Sequence, residues 1–466
     1  MTRALKQKRL TGAARQQASM IEGPIWKGLI SFAIPIFLGN LFQQLYNTAD
    51  TLIVGNFIGK EALAAVSSSG NLIFMLVGFL NGVAMGAGVL ISKYYGARDY
   101  EKMRTAIHTD LAFSLIAGIV MTVVGVLLTP QILRWMGTPE SVMPESVAYF
   151  RTYFYGCTAS FLYNISTGIL QAVGDSRHPL YYLVISSFTN VGLDLLFVAG
   201  FRWGVAAAAA ATVISQLISA VLCMIQLTRT KEVYRVELKR IRIDRGALRL
   251  IVRFGLPSGV QNSVIAFANV VVQANINAFG ANAMAGCGSY SKIEGFAFLP
   301  VTCFSMGLAT FVSQNLGARH HERVRQGARF GVLCSMAVAE VIGIAIWLLA
   351  PTLVSFFNSD PEVVAYGVRE CRVIALFFCL LAFNHCLAGV LRGAGKASVP
   401  MVVMMAVWCV IRVVYITVMV RLVNSIVVIF SAYPVTWSIS AVIFLIYYFK
   451  ADWLHTFDRM DGAQTE

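Results

Sequence analysis

Two blocks of this sequence recur at one fixed spacing. Met85-Gly86-Ala87, Ser92 and Gly96-Ala97-Arg98 return as Met306-Gly307-Leu308, Ser313 and Gly317-Ala318-Arg319, and 317 − 96 = 221. The segment Gly168-Ile-Leu-Gln-Ala-Val-Gly174, closed by Pro179, returns at the same shift as Gly389-Val-Leu-Arg-Gly-Ala-Gly395, closed by Pro400. A chain that repeats over half its length builds two like units. Here the residues around the repeat are strongly apolar, so the units are expected to be two homologous membrane halves.

Composition sets the solvent. Hydrophobic residues make up 57% of the 466 and charged residues 13%, against roughly 25% charged in a soluble domain. Apolar runs of about 20 residues suffice to cross a hydrocarbon core about 30 Å thick as helices. About twelve are expected, centred on 28–54, 62–92, 106–128, 148–172, 180–200, 204–227, 250–278, 283–312, 328–350, 364–390, 399–420 and 425–449. The expected fold is an all-α membrane protein of twelve transmembrane helices in two pseudo-symmetric six-helix lobes around a central cavity. Its parts are a tail over 1–27, an N-terminal lobe over 28–228, a basic linker over 229–249, a C-terminal lobe over 250–450 and a tail over 451–466.

The net charge of +14 does not point to nucleic acid, because the basic residues fall in alternate loops. Lys6, Lys8, Arg9 and Arg15 precede the first span; Lys93, Arg98, Lys102 and Arg104 follow the second; Arg177 follows the fourth. Nine basic residues lie between Arg229 and Arg253, after the sixth span. Arg319, Arg323, Arg325 and Arg329 follow the eighth, and Arg392 and Lys396 the tenth. By the positive-inside rule both termini are expected in the cytoplasm, and with six spans per half the repeat is parallel rather than inverted. The basic, polar first 24 residues and the long apolar stretch after them read as a retained first span, not a cleavable signal. The nine cysteines contain no C-x-x-C pair, so small core residues are expected rather than disulfides or zinc.

A carboxylate deep in a membrane helix costs on the order of 2.5–3.5 kcal/mol on insertion scales, which makes each one a functional candidate. In the first span Asn40, Gln43, Asn47 and Asp50 follow one another at steps of three and four and share a helical face. In the fifth, Asn190 and Asp194 are four apart and do the same. Thr212, two turns into the sixth span, reaches a comparable depth. Two carboxylates close together resist ionising together, so the pair can take up and release a proton; the same oxygens with an amide and a hydroxyl can instead ligate sodium. Asn164 sits deeper in the fourth span. In the C-terminal half Lys292 and Glu294 lie deep in the eighth span, His385 in the tenth and Arg412 in the eleventh, with an ion pair of Glu294 and Arg412 as the plain expectation and a role in gating or anion contact as the sharper one. The Gly78, Gly82, Gly86 ladder reads as close helix packing. No phosphate loop is present: Gly55-Asn-Phe-Ile-Gly59-Lys60-Glu61 has the wrong spacing.

At these residues the chain resembles the multidrug and toxic compound extrusion (MATE) family over nearly its whole length. Asn47-Thr-Ala-Asp50 followed by Gly55 and Gly59, the paired Gly-Ala-Arg turns, and Asn190-Val-Gly-Leu-Asp194 running into Gly204 and Thr212 are similar to that family's text. The resemblance implies a bacterial inner-membrane, multi-pass antiporter, not an enzyme. It would export organic, cationic amphipathic compounds in exchange for protons, or for sodium, by alternating access. In the DinF-like branch the positions of Asp50, Asn190, Asp194 and Thr212 form the proton or cation site, and protonation there bends the first helix; Pro35, lacking a backbone N–H, is expected to supply the bend. The NorM-like branch places acids in spans seven and ten, where this chain has Asn269 and Gln273, and Asn384 and His385. Phe42, Tyr46, Met75, Phe161, Tyr163 and Phe296, with Asn40, Gln43, Asn47 and Asn164, are expected along the cavity. No cofactor or metal beyond the coupling ion is implied, and the family pattern is a monomer in the bilayer. A flippase for lipid-linked glycan precursors, needing a cationic cavity from Arg412, Lys292 and His385, is the alternative. A membrane enzyme would need a cluster such as His-Glu-x-x-His, and the six histidines are scattered.

Overall fold

A computed structural model describes residues 20–57, 78–79, 82–135, 138, 140 and 142–462. Gly59, Met75, most of the second expected span and the tail before Met20 lie outside the described residues.

The first half runs through α1 (Ile25–Phe57), α2 (82–96), α3 (Tyr100–Trp135), α4 (Met143–Tyr155), α5 (Cys157–Ala172), α6 (Arg177–Asp194) and α7 (Val205–Arg229). The second runs through α8 (Arg245–Asn277), α9 (Ala281–Gly317), α10 (His321–Ser355), α11 (Pro361–Ile374), α12 (Phe378–Gly393), α13 (Ser398–Met404), α14 (Arg412–Val423) and α15 (Ile426–Lys450), and ends in the short α16 (Thr456–Gly462). Among the described residues nine helical stretches are long and apolar enough to cross a membrane, which makes this a multi-pass membrane protein. The other three expected spans correspond to α2, to the pair α4 and α5 joined at Gly156, and to α8. Exposed large hydrophobics such as Leu127, Phe188, Phe267, Leu348 and Phe449 are what lipid-facing helix surfaces require.

The repeat is written in the backbone as well as in the residues. Left-handed conformations occur at Arg98 (φ 57°) and Arg319 (φ 59°), and at Gly174 (φ 92°) and Gly395 (φ 76°), each pair 221 apart. Arg202 (φ 55°) and Asn424 (φ 44°) form a third pair, now 222 apart. The second half is one residue longer between Pro400 and Asn424 than the first is between Pro179 and Arg202, and both intervals carry a π-helical stretch, Leu195–Gly200 and Met405–Ile411.

The described chain divides into two compact units, one within 38–256 and the other made of 20–37 joined to 257–462. The divisions fall inside helices: α1 changes unit after Phe37 and α8 after Leu256. Each division lies beside an in-helix proline, Pro35 and Pro257, and 257 − 35 = 222. In the first unit α2 and α8 touch backbone to backbone, since a Cβ on Gly86 would stand 2.2 Å from Gly255 N and one on Gly255 2.4 Å from the Val83 carbonyl. That contact realises the close packing expected of the glycine ladder, where small residues let backbones approach.

Candidate functional site

Three helices of the first unit bring the expected polar residues together. α6 places Asn190 and Asp194 one turn apart on a face turned inward, with 1% and 0% of their surfaces exposed. α7 supplies Thr212, whose hydroxyl donates to the Ala208 carbonyl (3.2 Å) and accepts from Asn190 Nδ2 (3.4 Å). The second half of α1 brings half-buried Asp50 against Asp194. Asp50 Oδ1, Asn190 Oδ1 and both oxygens of Asp194 are buried and accept no hydrogen bond from any described residue.

Around them the core is apolar: Ile53 and Val54 of α1, Tyr149, Phe150 and Phe154 of α4, and Val205 and Ala207 to Ala209 of α7 pack as one cluster. Two ionised carboxylates held this way, with no donor supplied, would be strongly unfavourable. Such a group of oxygens is satisfied by a proton shared between the acids or by a hard cation among them. Directly after Asp194 the helix continues as π-helical Leu195–Gly200, a distortion frequent beside functional side chains.

The other candidates of this half are placed as follows. Asn40, Tyr46 and Tyr163 are half-buried, and Gln43 and Asn47 are exposed on the same stretch of α1. Asn164 donates to the Ser160 carbonyl of its own helix (2.8 Å), so part of its capacity is spent locally. Pro35 is buried inside an unbroken α1, two residues before the division between the units.

In the second unit Arg412 and Glu294 are electrostatic neighbours, as expected, but no direct ion pair joins them, and the closest partners of Arg412 are others. Its guanidinium, 2% exposed, donates to Thr436 Oγ1 through two nitrogens (3.3 and 3.1 Å) and lies over the rings of Tyr433 (4.4 Å) and Trp408 (5.4 Å). An aromatic cage and a hydroxyl thus make its direct contacts, with the Glu294 carboxylate acting on it at longer range. Glu294 is half-buried on α9 and faces Tyr290 of its own helix. His385 is held edge to face by Phe298 (4.8 Å) and Trp408 (5.4 Å), while Lys292 is exposed. Lys292 and Glu294 point to different sides, as their spacing requires.

A family model described as MatE matches residues 35–196 and 257–418. The chain belongs to the MatE family. Two matched segments of equal length, offset by 257 − 35 = 222, carry the family pattern once in each half. The chain is 28% identical to the probable multidrug resistance protein YoeA of Bacillus subtilis over 392 residues, covering 82% of this chain and 85% of that one. It is 29% identical to the probable multidrug resistance protein YpnP of the same organism, covering 80% and 84%. Its fold matches, with a TM-score of 0.88 at 22% identity and 94% and 97% coverage, a structure described as the outward-facing conformation of a multidrug resistance MATE family transporter of the MOP superfamily. The MatE fold is therefore that of twelve membrane helices in two lobes, and the family is one of membrane transporters rather than enzymes.

Within this MatE chain two buried acids escaped the sequence reading. Glu370, 4% exposed, sits on α11 with Oε2 unpartnered, so the tenth span does carry an acid, contrary to the contrast drawn there with the NorM-like pattern. Three charges in four residues, Arg369, Glu370 and Arg372, resemble the edge of a span, yet the span runs from Pro361 to Gly393. Asp110, 2% exposed, lies on α3 beside Thr109, whose hydroxyl accepts from the Asp244 amide (3.1 Å). It falls inside the expected third span, 106–128, and was not singled out there.

Proposed function

We propose that this chain is a secondary multidrug exporter of the MatE family that expels organic, cationic amphipathic compounds in exchange for protons taken up at Asp50 and Asp194. The observation that carries the reading is the set of donorless oxygens on Asp50, Asn190 and Asp194 inside an apolar shell. A proton bound between the acids removes the conflict, and its loss restores it, so occupancy and the conformation of α1 are coupled. Pro35 leaves α1 one backbone hydrogen bond short at the place where the helix passes from one unit to the other, which suits it to bend. The relatives' names, multidrug resistance proteins, support the cargo class. Both termini are assigned to the cytoplasm on the alternation of the basic loops, and the chain to a bacterial inner membrane as a monomer on its likeness to the family.

The oxygens of Asp50, Asn190, Asp194 and Thr212 also suit sodium, a hard cation, and the test separates the two. Everted vesicles or proteoliposomes are loaded with ethidium under an imposed pH gradient, with and without sodium. Proton-driven transport, lost in Asp50→Asn and in Asp194→Asn while both variants remain folded, is expected. Transport that requires sodium moves the coupling ion to Na⁺ at the same residues; retained export in Asp50→Asn refutes the coupling role. The flippase alternative is weakened because Arg412 is already engaged by Thr436, Tyr433 and Trp408.

A further inference from the structure

After α15 the chain turns back against the start of α10, and two histidines and an acid meet there. One ligand atom from each of His321, His455 and Asp458 lies within 4.8 Å of the other two. His321 Nε2 stands 3.4 Å from Asp458 Oδ2, and the two imidazole rings meet edge to face at 4.8 Å. We propose that His321, His455 and Asp458 form a binding site for a divalent transition metal of the zinc class, which fastens α16 to the first turn of α10.

The geometry fits the chemistry. With metal–ligand bonds of about 2.0–2.2 Å, tetrahedral ligand atoms lie about 3.4 Å apart, the separation already present between His321 and Asp458. Two imidazoles and one carboxylate leave a fourth position for water. The supporting contacts are those a metal-binding histidine uses: His455 Nδ1 is hydrogen-bonded to Asp452 Oδ1 at 2.6 Å, which directs Nε2 as the lone-pair nitrogen and raises its basicity. Arg459 in turn holds Asp452. Arg319 Nε stands 3.7 Å from Asp458 Oδ1, on the oxygen that His321 does not approach, and so orients the carboxylate. The segment is anchored by buried Trp453, Leu454 and Phe457, and Trp453 Nε1 donates to the Tyr448 carbonyl (3.0 Å); the ligands are therefore pre-positioned.

The repeat supplies an internal comparison. In the first half the linker folds back in the same way, with Arg104 Nε donating to the Val233 carbonyl (3.0 Å) and the Glu237 amide to His108 Nε2 (3.1 Å). The residue matching His321 there is Tyr100 (321 − 221 = 100), which is no metal ligand of this kind. The fold-back is common to both halves, and the ligand set belongs to the second alone.

The test is calorimetric titration of Zn²⁺ into full-length protein in detergent, with any affinity tag removed. One Zn²⁺ per chain with a micromolar or tighter Kd is expected. His321→Ala and His455→Ala should each weaken binding by at least about tenfold, and Asp452→Ala, a second-sphere change, by about 10- to 100-fold. Added Zn²⁺ should also slow proteolysis after residue 450 in the wild type and leave it unchanged in the His321→Ala/His455→Ala double variant. Each variant is first shown to elute as one peak and to melt with the metal-free wild type. No saturable binding to the wild type, or equal affinity in the double variant, overturns the proposal.

Discussion

The Gly86–Gly255 contact predicts a stability defect that is specific to one half of the repeat. A Cβ on Gly86 would lie 2.2 Å from Gly255 N, 2.4 Å from its Cα and 2.7 Å from the Ile251 carbonyl, all backbone atoms that no rotamer change can move. Ordinary contact begins near 3.4 Å, so α2 and α8 must separate by 3.4 − 2.2 = 1.2 Å. Overpacking of this kind costs about 1–3 kcal/mol, and in lipid the lost van der Waals contact is not offset by a hydrophobic drive to reassociate. Gly86→Ala should therefore lower the apparent melting temperature in detergent, as should Gly255→Ala, whose Cβ meets Val83 O at 2.4 Å. The double variant should lose less than the sum, because the gap opened by one methyl receives the other, a coupling of about 0.5–3 kcal/mol. Gly307 is the repeat-mate of Gly86 (307 − 86 = 221), and among the described residues its added Cβ would meet Phe32 Cδ1 alone, at 3.5 Å, so Gly307→Ala should be tolerated. Melting followed by retention of the monodisperse peak after heating reads all four variants. An unchanged Gly86→Ala beside a destabilised Gly307→Ala refutes the reasoning.

Thr436→Val removes the hydroxyl that accepts both Arg412 bonds, and should cost about 1.5–3 kcal/mol as a lost charge-assisted interaction; Thr436→Ser should recover most of it in the same melting assay. Gly174→Ala and Gly395→Ala put a Cβ at φ 92° and 76°, and each should cost roughly 1–2 kcal/mol, measured as a lower melting point for both. Pro35→Ala restores a backbone donor inside α1 and should reduce ethidium export while leaving the melting point at or above that of the wild type; undiminished export removes Pro35 from the bend. Outside the membrane, the hydrogen bond from His455 holds the Asp452 carboxyl below its ordinary 3.8. A lowered acid contributes stability that is present above the unfolded value and lost as pH falls through the folded one, so hydrogen-exchange protection of 452–459 should fade only below pH 3.8.

What the residues disclosed depended on how local the signal was. Twelve apolar runs and a fixed offset are enough to infer membrane helices in two like halves, because lipid leaves a backbone no other way to satisfy its polar groups than helices or closed barrels. The first-unit acids were legible for the same reason: Asp50 and Asp194 stand alone in apolar text, and an isolated charge there is conspicuous. Glu370 was hidden by its charged neighbours, since with Arg369 and Arg372 beside it the stretch resembles the edge of the expected span 364–390 rather than a lone buried acid. Charge alone suggested Glu294 as the neighbour of Arg412, and the two do interact, but the direct contacts of Arg412 with Thr436, Tyr433 and Trp408 depend on how α14 and α15 pack. No periodicity within a single helix carries that information.

The division of α1 and α8 between units, and the one-residue slip in the repeat, together suggest how two like halves come to do unlike chemistry. From Met85 to Pro179, against Met306 to Pro400, the shift is 221; between Pro35 and Pro257, and again between Arg202 and Asn424, it is 222. An inserted residue turns every later side chain on a helix by about 100°, and π-helical turns, present in both halves at Leu195–Gly200 and Met405–Ile411, are where such slips are taken up. Counted by the later shift, Arg412 takes the station of Asn190 (412 − 222 = 190), Ile416 that of Asp194 and, by the 222 offset that also joins Pro35 to Pro257, Val272 that of Asp50. The second half thus keeps the helices and replaces the acid pair by aliphatics and the amide by a caged cation. Restoring acids at Val272 and Ile416 would not rebuild the site, because Arg412 and its ring neighbours fill the place where Asn190 and Thr212 support it in the first half. The expected result of Val272→Asp/Ile416→Asp is therefore loss of folding or of export, with no added dependence on the pH gradient; a variant that exports with a steeper dependence on the pH gradient than the wild type would show the halves to be chemically interchangeable after all.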